Sequence, residues 1–98
     1  MRARSKPGVV FLEVRLATAF LQVGRTREAL AVAIRALPCD YPEREVLWGI
    51  QAVALKRLGR YPEALSAARK AETLNPKDVT LSRLREECER LAGAPRRR

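Results

Sequence analysis

The chain has 98 residues, 47% of them hydrophobic and 32% charged, and a formal net charge of +9. Such a length serves one small domain with a modest core, and the apolar content excludes a disordered polyelectrolyte. No apolar run approaches the ~18 residues that a membrane helix needs, and with no histidine and two cysteines far apart neither a metal site nor a disulfide framework is expected.

The charge is concentrated at the ends. Arg2, Arg4, Lys6, Arg96, Arg97 and Arg98 supply six of the twenty basic side chains, and none of the eleven acids lies among them. Residues 1–8 therefore read as a basic flexible tail, and 94–98 as a second one. Residues 9–23, "VVFLEVRLATAFLQV", read as the first helix. Glu13 and Arg15 interrupt what would otherwise resemble the apolar core of a secretory leader. Only Glu13, Arg15, Thr18 and Gln22 are polar in this helix, so it needs cover on more than one side. Val10, Phe11, Val14 and Leu21 exceed what one helical hairpin is expected to bury, which predicts a partner or self-association through this helix.

Gly24 ends the first helix, and residues 27–37 form the second. The linker "LPCDYPE" follows, where Asp40 beside Cys39 raises rather than lowers its thiol pKa. Cys39 and Cys88 read as two small buried thiols in a reducing, cytoplasmic setting. Residues 43–58 form a third helix closed by Gly59. A fourth, 62–74, has Pro62 in its first turn, where a missing N–H costs nothing, and stops at Asn75-Pro76. Asp78 caps a fifth, 79–92, whose Leu81, Leu84, Cys88 and Leu91 form a single apolar stripe. That amphipathic helix suits the end of an array, with one face buried and the other wet. The expected fold is all-α, with five antiparallel helices.

Gly24, Gly59 and Gly93 are spaced by 35 and 34 residues, which marks an internal repeat. With the glycines in register, the chain resembles the tetratricopeptide repeat family, whose unit is a 34-residue helix-turn-helix. Residues 45–78 carry the fuller match, with Trp48, Ala52, Leu55, Gly59, Tyr61, Ala64, Ala71 and Pro76 at the family's positions. Residues 10–44 match through Leu16, Ala17, Phe20, Gly24, Ala29 and Ala36, but have Glu13 for the tryptophan and Thr26 for the tyrosine. Residues 79–92 make a capping half-unit. About two and a half units result, and the resemblance implies a short right-handed superhelix with a concave groove, spanning 9–93. Small residues permit helices to approach to roughly 8–10 Å, so Ala17 is expected against Ala29 and Ala52 against Ala64, with Ala36 and Ala71 against the following helix. Trp48, Leu55 and Tyr61 are expected to fill the core beside those crossings.

In the family, fixed positions of each first helix line the groove. Carried over, they are Phe11, Val14, Thr18 and Leu21, then Val46, Gly49, Val53 and Lys56, then Thr80, Arg83, Glu87 and Arg90. This groove runs from apolar to basic, and its complement is an apolar or amphipathic helix or peptide with an acidic flank. The resemblance thus implies a non-enzymatic adaptor, assembly factor or small chaperone; in size and apolar groove it looks like the small repeat chaperones of type III secretion. The family's two-carboxylate clamp is not matched, since Val14, Thr18 and Ile50 stand at clamp positions. No catalytic residue, cofactor or metal is assigned, because the sequence shows no acid–base constellation and no glycine-rich phosphate loop. The tails alone offer weak, salt-sensitive nucleic-acid binding, a secondary reading.

Overall fold

The computed structural model describes residues 7–37 and 43–93, which form five helices: α1 Pro7–Gln22, α2 Thr26–Ala36, α3 Glu43–Arg57, α4 Tyr61–Leu74 and α5 Val79–Gly93. No strand occurs among the described residues. Residues 1–6 of the N-terminal tail, the C-terminal tail and the linker thiol Cys39 with Asp40 lie outside them, whereas Pro7 and Gly8, read as tail, begin α1.

Glycine conformation closes both hairpins, and it does so identically. Gly24 has φ +84°, and Gly59 has φ +78°. At the first turn the amides of Gly24 and Arg25 donate to the carbonyls of Leu21 and Phe20 at 3.2 and 2.8 Å. At the second, those of Gly59 and Arg60 donate to Lys56 and Leu55 at 3.0 and 2.9 Å. This paired bonding satisfies carbonyls that a helix end leaves open, and only a residue without Cβ takes the left-handed conformation at little cost. The next helix then starts in the same way. Arg25 and Arg60 share one backbone conformation, φ −86° and −92° with ψ 70° and 67°. Each guanidinium reaches the glutamate three residues on, Glu28 at 3.8 Å and Glu63 at 2.7 Å. Gly93 is different: it is the last residue of α5 and has no positive φ, so the third glycine does not repeat the cap.

The fourth helix ends as the Asn75-Pro76 dipeptide requires, with the Asn75 amide on the Ala71 carbonyl at 3.1 Å. Asp78 caps α5, its Oδ1 accepting the Thr80 amide at 2.9 Å.

Sequential helices pack pairwise, and α1 touches α3 as α3 touches α5, whereas α2 and α4 do not meet. The first, third and fifth helices therefore make one continuous layer. The crossings of these helices with α2 and α4 are lined by alanine: Ala17, Ala29, Ala33, Ala36, Ala52, Ala64, Ala68 and Ala71 are all 0% exposed. These form four pairs at the same 35-residue offset as the glycine turns. Two apolar clusters result, one around Val10, Val32, Leu47 and Ile50 and one around Leu30, Leu55, Ala67 and Cys88, and Leu21 packs against both.

Two expectations about α1 are corrected. Val10 is not surplus: it is buried at 1% exposure, seven residues from Ala17 on the inner face. Leu16, one of the residues matched to the repeat pattern, is instead 44% exposed. Trp48 packs against the second cluster beside Ala52 and Ala64 but is only half-buried, with Lys70 Nζ 4.5 Å from its ring centroid. Thirty-five residues earlier the same two positions hold Glu13 and Arg35, joined at 3.5 Å. An ion pair in the first hairpin thus replaces a cation–π contact in the second. Tyr61, also expected in the core, is half-buried at the start of α4.

The turn geometry predicts opposite signs for one substitution. Gly59→Ala forces a side chain into the left-handed region and is expected to cost about 1–2 kcal/mol, while Gly93→Ala leaves stability unchanged or higher; urea denaturation reads both. The alanine crossings give a second prediction. Ala52→Leu is expected to cost about 1–3 kcal/mol by overpacking, against less than about 0.5 kcal/mol for Ala31→Leu on the exposed face of α2. Equal losses would disprove the crossing.

Candidate functional site

Where α1, α3 and α5 adjoin, they leave a cleft of about 240 Å3. Val46, Gly49 and Val53 recur at helical spacing along one face of α3 and form its floor with Ile50. Leu21 of α1 closes one side, and Leu81 and Leu84 of α5 close the other. Glu45, Asp78 and Thr80 contribute the polar edge. The absence of a side chain at position 49 keeps the floor open. A Cβ there would meet Leu81 Cδ2 at 3.5 Å, an ordinary contact, so alanine fits and anything larger fills the cleft.

Of the groove residues read from the sequence, the structure brings Leu21, Val46, Gly49, Val53 and Thr80 together here. Phe11 lies further along α1, 51% exposed, with the Arg15 guanidinium 5.8 Å from its ring centroid. Val14 is half-buried against the first cluster, and the Thr18 hydroxyl donates to the Val14 carbonyl at 2.9 Å. Neither lines the cleft.

The basic end is rearranged by pairing. Lys56 Nζ donates to Glu87 Oε1 at 2.8 Å across α3 and α5, so both groove positions are spent on each other. That contact holds the Glu87 carboxyl below its ordinary pKa, mainly through the hydrogen bond, with Arg90 nearby adding to it. Arg83 and Arg90 are exposed on α5 outside the cleft lining. The charged groups that do border the cleft, Glu45 and Asp78, are acidic. Glu45 is 8% exposed; its Oε2 accepts from Asn75 Nδ2 at 2.8 Å, while its buried Oε1 has no hydrogen-bond partner.

Two contributors were missed from the sequence. Arg57 Nη1 donates to the Leu21 carbonyl at 2.8 Å, pinning the end of α1 beside the cleft to the end of α3. The spacing of thirty-six residues gives no local signal for it. The ion pairs that tie α4 to α5 were the other omission: Arg85 reaches Glu72 of α4 at 2.9 Å and Glu89 of its own helix at 3.0 Å, and Arg69 of α4 reaches Glu89 at 3.2 Å. The Arg85 hydrogen bond holds Glu72 below its ordinary pKa. Burial pushes the Cys88 thiol up, as expected for a thiol used in packing. No helix among the described residues is long and apolar enough to cross a membrane.

Comparison with family models, with curated proteins and with solved structures yields no match for this chain. The internal 35-residue symmetry of turns, alanines and paired side chains is what the chain itself supplies.

Acid is expected to loosen α5 first. Glu72 and Glu87 have folded pKa values below the ordinary 4.5, so the unfolded chain binds more protons in that range and stability rises with pH. The contribution is present above the ordinary value and is lost as pH falls through the folded one. Hydrogen exchange should show α5 amides losing protection below about pH 4.5 before those of α2; Glu87→Gln should flatten the pH dependence. Uniform loss across all helices would refute this.

Proposed function

We propose that the chain is a non-enzymatic protein-interaction module of the tetratricopeptide-repeat type, holding an apolar or amphipathic helix or peptide in the α1/α3/α5 cleft. The observation that carries this reading is the cleft itself, with apolar walls from three helices and an open floor at Gly49. Such a groove takes side chains at helical or alternate spacing while its rim fixes orientation. The shared turn and alanine geometry of the two hairpins supports the repeat assignment. Exposed Arg83 and Arg90 on α5 favour an occupant with an acidic flank on that side, and acidic Glu45 and Asp78 disfavour acids at the opposite mouth. Roles as an adaptor, an assembly factor or a small chaperone like those of type III secretion fit this chemistry. A cytoplasmic setting belongs to this reading, with Cys88 a buried packing thiol.

Selection of displayed random peptides on the intact protein tests the reading. Binders are expected to share two or three apolar residues at i, i+3/i+4 spacing, and to shift NMR signals of Val46, Val53 and Leu81. Val46→Glu is expected to weaken them by about 2 kcal/mol or more, with helical content unchanged because Val46 is already 42% exposed. Binders that ignore Val46→Glu, or that shift only residues outside the cleft, would overturn the proposal.

A further inference from the structure

The outer face of α1 carries a second apolar surface, separate from the cleft. Val9, Leu12, Leu16 and Val23 are 47%, 63%, 44% and 70% exposed, and Ala19 is exposed between them. Their spacings are three, four, three and four, the heptad pattern of a helix seam rather than the looser 3.6-residue stripe of a helix packed on a globular core. Val23 follows directly on α1, its amide still bonded to the Ala19 carbonyl at 3.1 Å. The two ionisable groups of α1 are turned away, Glu13 to Arg35 at 3.5 Å and Arg15 over Phe11. The stripe therefore contains no charge.

We propose that this face pairs with the same face of a second copy, as an antiparallel two-helix seam with Leu16 opposite Ala19 and Leu12 opposite Val23. Self-complementarity selects the second copy, because the stripe offers nothing to a charged partner and its large and small residues match when it is set against itself. The chain is +9, and a partner chosen by charge would need cations to answer its acids, which this stripe lacks. Two copies of so basic a chain meet with least repulsion where neither carries charge, and a twofold contact sets this neutral stripe against itself. Side-chain size supports the register, since the large Leu16 meets the small Ala19 in two symmetric layers. Orientation follows from the ends. A parallel pair would set like ends of the two helix dipoles side by side. In the antiparallel register the starts of the two α1 helices lie 21 residue rises apart, roughly 32 Å at 1.5 Å per residue, and the helix dipoles are opposed favourably. The contact rests on one five-residue stripe per copy, where a standard stable interface buries about 800 Å2 per partner, so the pair is expected to be weak and concentration-dependent.

Sedimentation equilibrium of the full chain from low to high micromolar concentration is expected to show the mass rising from one copy to two. Leu12→Glu, at a largely exposed position, is expected to abolish the rise with the circular dichroism unchanged, while Val46→Glu in the cleft leaves it intact. In a Cys39→Ser background, a mixture of Leu12→Cys and Val23→Cys proteins should crosslink on oxidation, and neither alone should. A monomer throughout, or a dimer indifferent to Leu12→Glu, would overturn the proposal; Leu12→Cys linking to itself would overturn the antiparallel register. The cleft reading stands or falls separately, on peptide selection.

Discussion

Close approach of helix backbones is the constraint on which the rest depends. The fully buried alanines at both hairpin crossings let the helices sit side by side without larger side chains between them. That proximity makes the α1–α3 and α3–α5 contacts possible, and with them the cleft. It also limits where volume can go. Larger apolar residues such as Leu47, Leu55 and Phe20 fill the flanks of the crossings, and in α1 the remainder is turned outward.

Much of this was legible because it is local. A glycine thirty-five residues after another, each followed by an arginine and a further glutamate, encodes a turn through short-range sterics and hydrogen bonds. The alanine pattern and the Asp78 cap were readable for the same reason. What could not be read was rotational phase and long-range pairing. The first helix is apolar nearly all round, so periodicity alone did not separate buried Val10 from exposed Leu16. Lys56 and Glu87 both occupied groove positions on the sequence, but their 2.8 Å contact required knowing that α3 and α5 lie together. Trp48 packs against the second cluster as its size suggested, but the lysine over its ring was not readable, because Lys70 comes from the neighbouring helix.

The Glu13–Arg35 and Trp48–Lys70 pairs show how repeats diverge without losing their frame. Each pair bridges the first helix of a hairpin to the second near the outer edge, with a long cationic side chain as the lid. An aromatic face and a carboxylate both attract that cation, one through its quadrupole and one through its charge. The first hairpin leaves Glu13 Oε1 buried and unpartnered, so the substitution is less well satisfied there.

Leu21 belongs to both apolar clusters, forms a wall of the cleft, and has its carbonyl held by Arg57 from the far end of α3. A stacked array whose units meet only at their borders melts in stages, each unit opening on its own. Here one side chain is shared by both units, so fraying of either removes support from the other. Any molecule resting on that leucine loads the joint between them, and occupancy of the cleft would then be felt as a single sharper melting transition of the whole chain rather than as protection of one helix.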